Sequence, residues 1–251
     1  VPQPGNVPPS TVEELSLESI AAKGWRPAEV ERLGLWLLRA DGGFTQRANS
    51  VLALGQPGLP LDEALATARA WYCARGLPLR VQVPTEGRRL LDAELGERGW
   101  EPSVLTHVLV RSLEGTADDG DVTLAKEPDP GWLALYRDGD ERARGLLTRH
   151  DTVVFASVTQ GGRTVAIGRG VVDSGSEGLW LGVFAVEVDP AARRQGLAVR
   201  VMAALHAWGA ARGASRAYLQ VESTNEPALA LYQRLGYTHH HDYRFWREPQ
   251  R

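Results

Sequence analysis

Residues Arg193-Arg194-Gln195-Gly196-Leu197-Ala198 place two guanidinium groups and a glycine between an apolar run ending at Val188 and a helical pattern that starts at Leu197. A strand that turns directly into a helix leaves the first backbone N–H groups of that helix without intrahelical acceptors, and the helix dipole adds partial positive charge there. Such a turn can hold an anion, most often a pyrophosphate. Gly196 lets a ligand approach the backbone closely. Ala198 adds little bulk, and Arg193 and Arg194 supply formal charge for phosphate oxygens. The same residues fit, equally well, an exposed basic turn capping a surface helix.

Other chemistry-bearing residues are sparse. His239-His240-His241 invites a metal reading. On a strand, however, consecutive side chains alternate faces, so at most two of the three converge, and no cluster of Asp, Glu or Cys accompanies them at ligand spacing. No metal is therefore expected, and one of these histidines facing a substrate pocket is the better reading. His150 reads as a surface position and His206 as a helix position. Cys73, the only cysteine, excludes an internal disulfide and a multi-cysteine metal site. It reads as a small buried or half-buried side chain, and reducing, cytoplasmic surroundings are the default expectation.

The elements that must position these residues occur twice. Ala68–Val83 and Leu205–Val221 both run Ala-Trp, two variable residues, Arg-Gly, a short link and an alternating stretch ending in Gln-Val. Each follows a helical apolar stripe, with Gly76 and Gly213 at the expected helix ends. Leu90–Ser112 and Ala228–Arg247 then match in outline, as a helix ending near Gly99-Trp100 or Gly236-Tyr237 and a following strand. A period above one hundred residues indicates a domain duplication, not a solenoid. Residues 112–121 read as a linker. The expected organisation is a Pro-rich disordered lead-in at 1–10, a first half at 11–115 and a second half at 116–251. In the second half a strand at VTLAKE, two helices, a hairpin turning at Gly161-Gly162 and alternating strands and helices predict an α/β fold of mixed, twisted sheets flanked by helices.

The loop has informative company. Arg193–Ala198 after Val188 and Pro190, followed by Val221-Glu222-Ser223-Thr224-Asn225 and the run Ala228–Tyr237 (ALALYQRLGY), resembles the two signatures of the GNAT superfamily of acetyl-CoA-dependent N-acetyltransferases. The resemblance covers roughly Asp121–Arg247. The whole chain is similar to bacterial tandem, two-half members with a degenerate N-terminal half. It implies acetyl-CoA as acyl donor, its pantetheine arm against backbone groups of Ala185, Val186, Glu187 and Val188, and its pyrophosphate on the N–H groups of Arg193 to Ala198. It also implies direct attack of an amine on the thioester, with an N–H near Val186 facing the oxyanion. Tyr232 matches the tyrosine that acts as general acid in many members, although a core tyrosine would leave the same pattern. Asn225 either caps its helix or holds the pantetheine arm, or does both. Some members carry a glutamate where this chain has Gly182, others where it has Gln220. The base is thus open between Glu187, Glu222, water and a group of the first half.

In the first half, Leu54–Ala64 stands where the cradle should be, and it lacks the signature. Pro57 and Pro60 remove N–H donors, so no coenzyme is expected there. Arg47 and Asn49 either reach the acceptor or sit on a solvent-exposed hairpin. The 251 residues carry a formal charge of −3 with 43% hydrophobic side chains. That balance argues against a nucleic-acid binder, and the absence of an apolar run of membrane-spanning length argues against a membrane protein. The expected function is transfer of an acetyl group to a primary amine, carried by a small molecule or a peptide, by a monomeric enzyme. The alternative is a non-catalytic acyl-CoA-binding regulatory or scaffold protein.

Overall fold

The computed structural model describes residues 11–115, 122–136 and 142–249. The first half runs α1 (Thr11–Gly24), β1 (Glu29–Leu33), β2 (Trp36–Ala40), β3 (Val51–Ala53), α2 (Leu61–Cys73), β4 (Arg80–Pro84), α3 (Arg89–Glu97), β5 (Glu101–Pro102) and β6 (Thr106–Ser112). The second runs β7 (Thr123–Ala125), α4 (Pro130–Leu135), α5 (Arg142–Thr148), β8 (Val153–Gln160), β9 (Arg163–Gly175), β10 (Gly178–Val188), α6 (Leu197–Ala210), β11 (Ala214–Glu222), α7 (Glu226–Arg234) and β12 (Thr238–Arg247). The repeated sequence pattern therefore has a structural counterpart, with α2-β4-α3-β6 matching α6-β11-α7-β12. Gly161 and Gly162 turn the β8–β9 hairpin with φ of 56° and 76°, the paired positive values that a tight hairpin needs.

The strands form one mixed twelve-stranded sheet in the order β1-β2-β3-β4-β12-β6-β11-β10-β9-β8-β7, with β5 beside β12. The β3–β4 and β10–β11 pairs are parallel and the other pairs antiparallel. The halves exchange their last strands. β11 of the second half pairs with β6 of the first, Gln220 opposite Val108. β4 of the first pairs with β12 of the second, Phe245 opposite Gln82. The exchanged strands then pair with each other at the centre. The linker expected at 112–121 lies mostly outside the described residues, as does the lead-in.

Three apolar clusters cover the sheet. One lies under α6 and α7, around Leu181, Val201, Leu205 and Leu219. A second lies on the opposite face, where Leu17 and Ile20 of α1 meet Trp132, Phe155 and Tyr218. The third fills the first half beneath α2 and α3. Helix α1 thus crosses from the first half onto the sheet of the second. Its buried positions, Glu14, Leu17, Glu18, Ile20 and Ala21, follow the helical period but include two carboxylates. Cys73, expected to be at least half-buried, is exposed; it lies one position off the buried stripe of α2, next to Tyr72.

Candidate active site

A cleft opens where two parallel strands separate. β10 and β11 pair from Leu179↔Ala214 to Val183↔Leu219 and no further, although they continue to Val188 and Glu222. On its other side β10 follows β9 to Phe184↔Arg169 and resumes at Glu187↔Ile167. The extra residue makes a β-bulge, with Ala185 held at φ 51°, a region that non-glycine residues rarely adopt. Ala185 and Val186 therefore leave the ladder where the strands splay. The resulting cleft holds about 270 Å³ between Val183–Glu187 and Leu219–Glu222. Asn225, Ala228 and Tyr232 border it from the α7 side, and Trp25, Arg47 and Tyr136 from the other.

The loop beyond β10 is built before the helix begins. Asp189 Oδ1 accepts from the Ala191 N–H at 2.9 Å, closing a 3-10 turn over Pro190–Ala192. Arg194 and Gly196 take φ of 61° and 75°. Gly196 is the N-cap of α6 and supplies no capping side chain, so the first N–H groups of the helix point into open space. A Cβ on Gly196 would meet nothing within 4 Å. Arg193, Arg194 and Gln195 are exposed. Arg193 Nε reaches back to the Val188 carbonyl at 3.4 Å, and Gln195 Oε1 accepts from Gln160 at 3.3 Å. Leu197 is buried in the core, so it offers the loop only its N–H; Ala198 is half-buried.

Tyr232 is 8% exposed, and burial pushes its phenol up to about 12. Among the described residues its hydroxyl has no hydrogen-bond partner, unlike that of its ring neighbour Tyr237, which pairs with His206 Nε2 at 2.8 Å. Asn225 Oδ1 accepts from the Ala228 N–H at 3.3 Å, a helix N-cap, and its residue also borders the cleft. Glu187 is half-buried and Glu222 exposed, and both line the opening. Gln220 entered the sequence analysis only as a position where some GNAT members carry glutamate. Its Oε1 is buried on the cleft wall without a partner among the described residues, a polar atom open to a ligand or water.

Comparison with known proteins decides the family. A sequence profile described as "Probable histone acetyltransferase Rv0428c C-terminal" matches residues 11–246. The chain belongs to this family of GNAT acetyltransferases. A Mycobacterium tuberculosis protein named "Probable histone acetyltransferase Rv0428c" is 32% identical over 248 residues, 96% of this chain and 76% of that one. In fold, the chain is similar to a GCN5-related N-acetyltransferase from Kribbella flavida, at a TM-score of 0.70 and 19% identity, covering 95% and 96% of the two chains. A tandem GNAT protein from the clavulanic acid biosynthesis pathway follows at a TM-score of 0.64 and 13% identity, covering 98% and 92%. The chain is an acyltransferase of the GNAT superfamily in tandem form.

One departure from the superfamily pattern has a physical reason. Gly182, where some members carry glutamate, has no room for a side chain: a Cβ would lie 2.6 Å from the Tyr218 hydroxyl and 2.7 Å from the Phe184 ring. Gln220 replaces a carboxylate with an amide on the same wall. In the first half the corresponding strands β3 and β4 pair over only two positions. The space beyond them is lined by Trp36, whose indole N–H binds the Gly55 carbonyl at 3.0 Å, and by Arg88, which binds the same carbonyl at 2.8 Å.

Several polar residues sit otherwise than their sequence context predicts. His150 is buried, not on the surface, with Nε2 2.6 Å from Asp173. His206 is buried as well. A bulge between His239 and His241 breaks the expected alternation. His239 does have a carboxylate companion: Asp242 Oδ1 lies 2.7 Å from its Nε2 and 2.6 Å from His107 Nδ1. These three ligand-type atoms lie within 4.8 Å of one another, and the one carboxylate oxygen serves both imidazoles. His241 turns inward to Glu18 at 3.0 Å. Asn49 is sealed, holding the turn through the N–H groups of Asp41 and Gly43 at 2.7 and 2.9 Å. Arg47, from a 3-10 turn over Gln46–Ala48, reaches the cleft. Among the described residues no helix is long and apolar enough to cross a membrane.

Proposed function

We propose that this acyltransferase moves an acetyl group from acetyl-CoA to a primary amine by direct attack, with donor and acceptor bound together. The observation that carries the reading is the splay of β10 and β11, which opens beside the bulge at Ala185 and runs into the uncapped start of α6. Backbone groups of Ala185 to Val188 are available to a pantetheine arm, and the N–H groups from Arg193 to Ala198, with Arg193 and Arg194, to a pyrophosphate. The donor fits this chain because the open space at Gly196 and the absence of a capping side chain leave its cradle clear. When bound, it supplies the thioester that the amine attacks.

The chain's own groups divide the remaining work. The N–H of Val186, freed by the bulge, faces the developing oxyanion. Tyr232 keeps its proton at neutral pH and gives it to the departing thiolate. Glu187, half-buried beside the bulge, takes the proton of the acceptor amine; Glu222 stands further out. Asn225 starts α7 and holds the arm. The first half contributes Arg47 and closes the acceptor side, and it binds no coenzyme, since Pro57 and Pro60 remove N–H donors where a phosphate cradle would stand.

Calorimetric titration with acetyl-CoA tests the reading. The wild type should bind and Gly196→Glu should not, because a carboxylate would enter the phosphate cradle. Equal binding by both proteins overturns the assignment of the cradle.

A further inference from the structure

On the side of the cleft away from the splayed strands the bordering charged side chain is Arg47, which has no carboxylate partner among the described residues. Arg47 borders the cleft, with Nε donating to the Tyr243 hydroxyl at 2.8 Å. Tyr243 is itself fully buried, so the guanidinium is anchored by one corner. Its two terminal nitrogens make no ion pair or hydrogen bond among the described residues. A guanidinium held through Nε presents these nitrogens as a fork, the shape that receives a carboxylate.

A second cation lies behind the aromatic wall. Arg169 is completely buried, opposite Phe184 in the β9–β10 ladder. Its Nε and Nη1 bind the backbone carbonyls of Leu147 and Gly24 at 2.9 Å each, and its Nη2 has no partner. The guanidinium carbon lies 5.5 Å from the Trp25 ring centre and 5.4 Å from that of Phe184, and both rings line the cleft. Asp173 is the carboxylate that acts on Arg169, while Glu18 spends its two oxygens on His241 and Gln82. Glu187 and Glu222 border the same cleft from the splayed strands, across from Arg47, where the amine is to be deprotonated. Arg47 at the cleft, with Arg169 behind its aromatic wall, favours an anionic group on this side.

We infer that the acceptor is a compact amine that also carries a carboxylate, as an amino acid does, with the carboxylate received by Arg47 and the amine directed towards the splayed strands. The inference rests on the acetyltransferase reading above. The apolar faces of Trp25, Tyr136 and Phe184 provide the surface for the acceptor's carbon skeleton.

The test is acetyl transfer to glycine, β-alanine, 4-aminobutyrate and L-phenylalanine, to the carboxamide of each, and to spermidine. Acetyl-CoA binding is measured separately on every protein used. In the wild type at least one acid should exceed its own amide in kcat/KM by roughly 10- to 100-fold, the worth of a charge-assisted hydrogen bond. Arg47→Gln should abolish that preference, mainly through KM, while acetyl-CoA still binds. Arg47→Lys should keep part of it, and Tyr243→Phe should weaken it by releasing Nε. Turnover of amides or spermidine at least as good as that of the acids overturns the inference, as does failure of every acid while acetyl-CoA binds normally. If the wild type fails to bind acetyl-CoA, the underlying reading falls, and this one with it.

Discussion

His241 Nε2 lies 3.0 Å from Glu18 Oε1, and both side chains are 1% exposed. The pair joins the first helix to the last strand. Glu18 Oε2 accepts from Gln82 at 2.7 Å, whose own oxygen accepts from the buried Arg39 at 2.7 Å. Arg39 donates further to Ser50. A chain of buried polar groups thus runs from β12 through α1 and β4 to β2 and on to Ser50, and each link is satisfied by the next.

Removing one member strands the rest. Glu18→Ala should cost about 3–5 kcal/mol, because His241 and Gln82 lose their acceptor in a dry site. The double variant Glu18→Leu, His241→Leu should recover part of that loss, since a matched apolar pair leaves fewer groups unsatisfied. Urea unfolding of the three proteins measures both effects. A Glu18→Ala cost indistinguishable from that of a surface substitution would show that water enters and replaces the pair.

Acid should destabilise the fold through His206. Burial, and then the Arg111 guanidinium, push this imidazole from its ordinary 6.5 down to about 3. Below about pH 6.5 the unfolded chain accepts a proton that the folded chain refuses until about pH 3. The unfolded state then binds more protons, so stability is complete above that window and falls within it, by up to about 1.4 kcal/mol per pH unit. His240, lowered to about 4 by burial and by His241, adds the same sign. His239, raised by its hydrogen bond to Asp242, opposes it. Measured between about pH 7 and pH 5, the decline in unfolding free energy should flatten in His206→Gln. An unchanged slope would locate the acid sensitivity elsewhere.

Tyr232→Phe should lower kcat by about 10²–10⁴-fold if the phenol is the acid, with acetyl-CoA affinity unchanged. Since the phenol is pushed up to about 12, the wild-type rate should show no alkaline fall from this group in the ordinary assay range. A variant that keeps its kcat would make Tyr232 a packing residue.

Two glycines should respond oppositely to the same substitution. Gly196→Glu introduces its side chain into open space, so the fold should persist with only the strain of a left-handed residue, of order 1–2 kcal/mol, while coenzyme binding is lost. Gly182→Glu must displace the Tyr218 and Phe184 rings from the centre of the sheet. Its cost should appear as a lowered Tm from overpacking, typically about 1–3 kcal/mol or more. Differential scanning calorimetry with and without acetyl-CoA separates the two. A Gly182→Glu protein as stable as the wild type would show that the rings can move aside.

The second half was legible in the sequence because its chemistry is local. Arg193–Ala198 and Asn225–Tyr237 each lie within one turn and one helix, so residue spacing carries their geometry. The duplication was readable for the same reason, since Gly76 and Gly213 end equivalent helices. The strand exchange was not, because Thr106–Ser112 has the same alternation whichever strand it joins. Pairings made across more than a hundred residues hid other features. Nothing in the spacing around Glu18 announces His241, its partner from the last strand. Asp242 lacked an evident role until His107 arrived from the adjacent strand. Arg47 was noticed as a polar residue in apolar company, but its cleft position needed Tyr243.

The exchanged strands also bear on how the protein is made. β12 lies between β4 and β6, both synthesised long before it. Until β12 emerges, the first half presents β4 as a raw seam with unpaired backbone groups, and β6 lacks one of its two neighbours. Such seams invite pairing with foreign chains. The ribosome therefore delivers the middle of this sheet last, and the nascent protein depends on rapid insertion of Thr238–Arg247 to close it.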